Sequence, residues 1–335
     1  MRLRFAILGY GSIAQSHVQA LQALRGTGGA DVQLRTVMGR LAEPAADFAR
    51  QHGFARSTTD LDAVLDDQDV DAVIVCSPTN FHAEQTERAL TAGKHVLCEI
   101  PLATSLADAD RLTALADARG RTLMVCHTER YYPALVEARR MIASGELYPH
   151  AAVSRYMFQR RANVNWVGRQ RSWTDNLIWH HGCHAVDATL WLLGATEVET
   201  SPEVALPGGG LNIPMDVGML LRTPRDQVAT VSLSYNTHIP LHDYLVIGQQ
   251  ATVMFDNGEL RGKDGVIVAR PAQEAVSEAI TRQDAEFLAA VAEGREPAIS
   301  GRSVRPAMAA LQVAQDSLDA RRARLGPDAR HPDLP

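Results

Sequence analysis

Cysteine is scarce: there are four in 335 residues, and no two stand at the short spacing of a zinc knuckle. That excludes a disulfide scaffold and fits a reducing cytoplasm. No apolar stretch is long enough to span a bilayer. Met-Arg-Leu-Arg followed by Phe5 to Leu8 starts like a signal peptide, yet Gly9-Tyr10-Gly11 ends the apolar run at once. A basic surplus is missing as well: the formal charge is −6 and the pI about 6.1, which argues against a general nucleic-acid binder. Internal repeats and low-complexity tracts are lacking too. What remains is an ordinary globular protein, expected in the cytoplasm with no membrane or nucleic-acid partner, and long enough for about two domains.

The first part of the chain alternates strand and helix patterns. Arg4 to Leu8 is a β-rich apolar run, followed by glycine and then by Ile13, Ala14, Val18, Leu21 and Leu24 at helical spacing. Val32 to Met38, Ala72 to Cys76, His95 to Cys98 and Thr122 to Cys126 read as further strands. Glu43 to His52, His82 to Ala92 and Leu106 to Ala118 read as the helices between them. Such alternation predicts a parallel sheet. Cys76, Cys98 and Cys126 fall near strand ends, where small buried residues are expected rather than a metal cluster.

After a helix at Pro133 to Ile142 the period changes. Ala151 to Phe158, Asp216 to Leu221, Val228 to Asn236, Tyr244 to Ile247, Thr252 to Phe255 and Val266 to Ala269 read as strands with few helices between them. The expected fold class is therefore α/β, an N-terminal Rossmann domain with a parallel sheet plus a C-terminal α+β domain with a mostly antiparallel open sheet. The expected boundaries are 1–127 for the dinucleotide domain and 128–300 for substrate binding and oligomerisation. A C-terminal helix at 301–325 is expected to return to the first domain, followed by a tail at 326–335.

Gly9-Tyr10-Gly11-Ser12-Ile13-Ala14 is G-x-G-x-x-A between a strand and a helix. The first glycine permits the tight turn, the second lets backbone approach a pyrophosphate, and Ala14 allows close packing, while the helix N-terminus offers free N–H groups. An NAD site would place Asp or Glu after the second strand; here Gly39-Arg40 stands there. A guanidinium pairs with a 2′-phosphate where a carboxylate would repel it, so NADP is expected rather than NAD.

Several segments together resemble the glucose-fructose oxidoreductase / inositol 2-dehydrogenase family over nearly the whole chain. They are Gly9 to Ala14, Ser77-Pro78-Thr79 with His82, Gly93-Lys94-His95-Val96, Glu99-Ile100-Pro101, Arg130-Tyr131-Tyr132-Pro133 and the Gly182, His184, Asp187 cluster. The resemblance implies cofactor contacts from Gly9, Gly11, Ser12, Ile13, Gly39, Arg40, Ser77, Pro78, Thr79, His82, Glu99 and Pro101. It further implies a nicotinamide at the domain junction and a second-domain sheet that often forms the interface of a homodimer or homotetramer.

Two positions depart from the common pattern. Ile100 stands where many members have a lysine near the reacting hydroxyl, and His180 where many have Asp four residues before the catalytic histidine. With Phe158-Gln159-Arg160-Arg161, Asn163, Asn165, Arg171-Ser172-Trp173-Thr174-Asp175 and Trp179-His180-His181, these departures resemble one branch of the family. That branch oxidises the cyclic hemiacetal of 4-carboxy-2-hydroxymuconate-6-semialdehyde to 2-pyrone-4,6-dicarboxylate with NADP, in bacterial breakdown of aromatic compounds. The alternatives are an NAD-dependent sugar or cyclitol dehydrogenase of the same family and a non-catalytic dinucleotide sensor.

Hydride transfer from a hydroxyl needs a base within reach of its proton. His184 is the candidate, with His180 one helical turn before it to share the proton, and Asp187 either orients an imidazole or anchors the helix. Two histidines at this spacing can also hold zinc, but no Glu completes an H-E-x-x-H pattern, and no metal is expected. A small anionic substrate would call for guanidinium groups, and Arg130, Arg160, Arg161 and Arg171, beside Trp173, are the candidates. Strand alternation puts Arg160 and Arg161 on opposite faces. Loss of the usual lysine leaves Ile100 as an apolar wall and histidine as the main proton acceptor.

Overall fold

The computed structural model describes residues 2–26, 31–164, 170, 174–208, 210–326 and 329–331. The chain forms two compact units whose segments interleave: Met1–Thr128 with Ser277–Val304, and Glu129–Val276 with Arg305–Pro335.

In the first unit, β1 (Arg2–Leu8), α1 (Ser12–Leu24), β2 (Asp31–Met38), α2 (Ala42–His52), β3 (Arg56–Thr58), α3 (Leu61–Leu65), β4 (Ala72–Val75), α4 (His82–Thr91), β5 (His95–Cys98), α5 (Leu106–Arg119) and β6 (Leu123–Val125) follow in order. The strands form one parallel sheet in the order β3-β2-β1-β4-β5-β6. This is a Rossmann arrangement, whose order reverses direction between β1 and β4. Every residue of β4 is fully buried, as the unbroken Ala72-Val73-Ile74-Val75 run requires of a central parallel strand.

In the second unit come α6 (Pro133–Ala143), β7 (Pro149–Met157), α7 (His181–Leu193), β8 (Glu199–Val204), β9 (Pro207–Gly208), β10 (Ile213–Pro214), β11 (Asp216–Arg222), β12 (Val228–Ser234), β13 (Leu241–Gly248), β14 (Thr252–Asp256), β15 (Glu259–Gly262) and β16 (Gly265–Ala269). An eight-stranded sheet runs β16-β15-β14-β13-β7-β12-β11-β8, antiparallel except where β7 lies parallel to β12. The inward residues of β11 and β12, Val217, Met219, Leu221, Ala229, Val231 and Leu233, are buried.

The helices α8 (Ala272–Glu293) and α9 (Gly301–Leu325) complete the chain. The expected division at 127 and 300, with 301–325 returning to the first domain, differs from the observed units, for reasons that lie in packing. Phe287 of α8 packs its ring 6.3 Å from that of Phe5, and Ile299 accepts a hydrogen bond from Val125 N, so this stretch finishes the first unit's core and sheet edge. Gln315 of α9 accepts from the Trp179 indole at 3.1 Å, and Arg321 donates to the Val204 carbonyl, so the chain end belongs with the second unit.

Candidate active site

The dinucleotide half is built at the ends of β1 and β4. Gly9 takes φ +114°, and a Cβ there would stand 2.5 Å from the Cys76 carbonyl oxygen, so only glycine lets the two strand ends approach. Gly11 caps α1 in ordinary extended backbone, and a Cβ there would meet nothing within 4 Å. Its missing side chain serves no internal packing; it keeps the space before the helix clear. No side chain caps α1, and its first turn carries no acid. Open space, uncapped N–H groups and the positive helix end together fit a pyrophosphate. Ala14 is fully buried against the sheet, which matches the third fingerprint position.

Past β2, the Tyr10 ring covers Gly39, whose hydrogen atom leaves room for it, and Arg40 projects exposed beyond. Ser77 donates to Gln85 at 2.6 Å. His82 is buried with both ring nitrogens facing carbonyl oxygens, Pro101 at 2.8 Å and Ser77 at 2.9 Å. Two acceptors require two N–H groups. Burial opposes that charge, but the nearby Cys98 and the two carbonyls hold the ring's pKa up at about 9. His82 therefore clips the Ser77-Pro78-Thr79 turn to the Ile100–Pro101 turn, and neither nitrogen is left to meet a cofactor.

Glu99 is fixed by an unexpected partner. His17 of α1 is fully buried between two carboxylates, with Nδ1 at 2.9 and 3.0 Å from the Asp284 oxygens and Nε2 at 3.0 Å from Glu99 Oε1. Burial works against the imidazolium, but Asp284 and Glu99 outweigh it and raise His17 to about 10. Burial likewise opposes the Glu99 charge, and His17 keeps its carboxyl below the usual range. Cys126 Sγ lies 3.9 Å from the same Nε2, and the ligand atoms of His17, Glu99 and Cys126 fall within 4.8 Å of one another. An imidazolium has no lone pair to give a cation, so this arrangement is an ion-pair chain. The four cysteines are buried thiols, none of them in a disulfide.

The histidine half lies within the second unit. His180 is the N-cap of α7 rather than part of its first turn, with φ −86° and ψ −85°. Its Nδ1 faces Asp175 Oδ2 at 2.9 Å, and its ring stacks on His181 at 4.2 Å. His181 in turn stands 6.4 Å from His184, and no direct contact between His180 and His184 is found among the described residues. The expected sharing of a proton by those two rings thus has His181 between them. His181 is an unsuitable carrier, because burial and the neighbouring His180, His184 and Arg160 push its pKa well below the ordinary value.

His184 points Nδ1 at Glu129 Oε1, 3.5 Å away. Glu129 is buried and also accepts from the Tyr244 hydroxyl. His242 of β13 brings Nε2 to 3.2 Å from the same Glu129 oxygen. Tyr156 of β7 lies alongside, 4.3 Å from His242 and 6.2 Å from His184. Burial penalises the Glu129 charge, yet His242 and His184 carry its pKa down to about 2. Both candidate bases therefore have a carboxylate near Nδ1.

The arginines separate clearly. Arg130 donates to both Asp187 oxygens, at 2.8 and 2.6 Å, so Asp187 holds a guanidinium and anchors α7. Arg161 is exposed and donates to the Arg160 and Tyr235 carbonyls. Arg160 is only 6% exposed, and its recorded partners are neutral: the Tyr235 hydroxyl at 3.1 Å, Asn163 Oδ1 at 3.0 Å and the Tyr235 ring face at 5.0 Å. Its Nε is buried without a hydrogen bond. Arg171 and Trp173 lie outside the described residues. The pattern in the sequence missed Asp175, Glu129, His242, His17 and Asp284; of these, His242 had a signal, a histidine opening a β-rich run.

Residues 3–127 match the family described as "Oxidoreductase family, NAD-binding Rossmann fold", and residues 133–268 match "Bacterial oxidoreductases, C-terminal". The 4-carboxy-2-hydroxymuconate-6-semialdehyde dehydrogenase of Sphingobium sp. (strain NBRC 103272 / SYK-6) is 36% identical over 308 residues, covering 88% of this chain and 92% of that protein. The chain belongs to the GFO/IDH/MocA oxidoreductase family. Inositol 2-dehydrogenase of Rhizobium meliloti (strain 1021) is 27% identical over 347 residues, covering 96% and 98% of the two chains. A levoglucosan dehydrogenase solved with NADH superposes with a TM-score of 0.83 at 19% identity, over 96% of this chain and 98% of that one, which is agreement in fold. This family member is an oxidoreductase with a nicotinamide-binding Rossmann unit and a mostly antiparallel second sheet, and no helix among its described residues is long and apolar enough to cross a membrane.

Proposed function

We propose that this oxidoreductase uses NADP to oxidise a hydroxyl, as the cyclic hemiacetal of a small carboxylated substrate. The substrate is 4-carboxy-2-hydroxymuconate-6-semialdehyde or a close relative, and the product the corresponding pyrone carboxylate. The observation that carries the reading is Arg160: a guanidinium removed from water, with neutral partners and an orphaned Nε among the described residues, meeting the same Tyr235 hydroxyl as His181 at the start of α7. A buried cation of this kind is costly until an anion joins it. A substrate carboxylate would supply that anion with the planar geometry a guanidinium prefers.

His184 Nε2 takes the hydroxyl proton while Glu129 at Nδ1 stabilises the resulting imidazolium; His180, held by Asp175, is the second acceptor. The nicotinamide, when bound, accepts the hydride that leaves the same carbon. Gly9, Gly11, Ser12 and Ile13 would hold its pyrophosphate, and exposed Arg40 its 2′-phosphate. Ser77, Pro78, Thr79, Glu99 and Pro101 shape the neighbouring wall. The outward face of the second sheet pairs with another copy of the chain.

The test is nicotinamide reduction with NADP and with NAD, offered the carboxylated hemiacetal and a panel of neutral sugars and cyclitols. NADP reduction with the hemiacetal is expected, and Arg160→Met should raise KM for it by about 100-fold, as expected for loss of a desolvated guanidinium–carboxylate pair. Turnover of the neutral panel alone, with Arg160→Met unchanged, would make this a sugar or cyclitol dehydrogenase. Tight dinucleotide binding with no turnover of any compound would make it a sensor.

A further inference from the structure

Two histidines of the second unit come within ion-pair distance of one carboxylate oxygen, neither ring nitrogen being hydrogen-bonded to it. Glu129 Oε1 has His184 Nδ1 at 3.5 Å and His242 Nε2 at 3.2 Å, while Oε2 is taken by the Tyr244 hydroxyl. Both rings are about four-fifths buried, so the charges they carry are weakly screened. From this geometry we propose that Glu129 is a positioning residue that holds His184 through Nδ1, and that His242 competes with His184 for its charge so that one proton, and not two, is held by the pair. The proposal rests on the reading of His184 as proton acceptor.

The electrostatics follow from counting charges. Glu129 stays ionised throughout, since its carboxyl is held down near 2. One protonated ring beside it gives a neutral cluster. A second would leave a net positive charge in a half-dry site, so protonation of either ring depresses the other. The other ionisable groups facing the pair are Tyr132 beside Glu129, His180 and His181 at the start of α7, Tyr156 of β7, Tyr244 of β13 and Arg160 beyond His181. The tyrosine hydroxyls are all pushed up by burial and remain neutral, and burial keeps His181 neutral, so Glu129 is the anion beside the pair, while Asp175 is the one beside His180.

Removing the competitor and removing the anion must then act in opposite directions on His184. In His242→Asn, Glu129 serves His184 alone, and the His184 midpoint rises by about one unit. In Glu129→Gln, both rings lose their anion, and the midpoint falls by about one to two units. The measurement is an NMR titration of the full chain carrying carbon-13 histidine, with no substrate or cofactor added, the two rings assigned from His184→Gln and His242→Asn. Glu129→Asp, which keeps the anion, should leave the His184 midpoint close to that of the native protein. Should Glu129→Gln not fold, Glu129→Asp and His242→Asn still decide the matter. A His184 midpoint that stays put, or moves the same way, in His242→Asn and Glu129→Gln would overturn the proposal.

Turnover gives the second readout. With whichever substrate is oxidised, the acidic limb of kcat/KM should move up in His242→Asn and down in Glu129→Gln, and kcat should fall more than KM rises in the latter. Opposed NMR shifts together with no oxidation of any carboxylated compound would defeat the substrate reading while leaving the shared carboxylate in place.

Discussion

At the residue scale, Gly9 and Gly11 illustrate how two identical residues in one fingerprint do different work. The Gly9 position is closed by backbone: φ +114° strains any side chain, and the Cys76 carbonyl sits where a Cβ would go. Gly9→Ala should therefore cost about 2–4 kcal/mol of stability, from strain together with a backbone clash, and should abolish dinucleotide binding as well. Gly11 is open, with ordinary dihedrals and nothing within 4 Å. Gly11→Ala should leave the thermal midpoint within a degree or two of native while weakening dinucleotide binding by about 10-fold or more, through the methyl group set against the pyrophosphate. Thermal melting and isothermal titration of both variants separate the two cases. Equal loss of stability in both would contradict the assignment of Gly11 to ligand clearance.

At the element scale, α1, the end of β5 and α8 are joined by the Glu99–His17–Asp284 chain. His17 rises from an ordinary value of 6.5 to about 10 on folding, so its ion pairs stabilise the fold fully below about pH 6.5 and are lost as pH climbs through 10. The thermal midpoint should accordingly fall between those limits, and His17→Gln should flatten that part of the profile. A native slope retained in His17→Gln would assign the alkaline loss to other groups.

Of this chain only Glu99 was legible in the sequence, as part of its turn, because the links to His17 and Asp284 join residues 82 and 267 apart. The first sheet was legible for the opposite reason: strands buried on both faces leave continuous apolar runs, as in Ala72 to Val75. The strands β8 and β15 were not, since Glu-Thr-Ser-Pro-Glu-Val and Glu-Leu-Arg-Gly lie at or near a sheet edge, where one-sided burial and charge blur the alternation. For the site, spacing placed His184 and His180 together but not the carboxylates behind them. Glu129 reaches His184 through tertiary packing, and Asp175 meets His180 at a spacing of five residues outside a helix, and no regular period encodes either contact.

At the scale of the whole molecule, the second sheet has two faces with different fates. Its inward residues form a buried core, while outward residues line up across strands: Leu220 opposite Thr230, Thr230 opposite Val153, Val153 opposite Leu245 and Leu245 opposite Met254. The adjacent row runs Val228, Ala151, Ile247 and Thr252. Leu220, Val228 and Ile247 are 47%, 38% and 38% exposed, an apolar band across five strands that a monomer would leave in water. Two copies meeting about a twofold axis would bury the same band on both sides, since such an interface is self-complementary. Leu220→Asp combined with Ile247→Asp sets like charges on both copies and disturbs neither the core nor the dinucleotide turn. Sedimentation of the native chain should give a multiple of 36.4 kDa, and the double variant should fall to the monomer mass with unchanged circular dichroism and dinucleotide affinity. A native protein sedimenting at 36.4 kDa, or a double variant that keeps the native mass, would leave this face without its proposed partner.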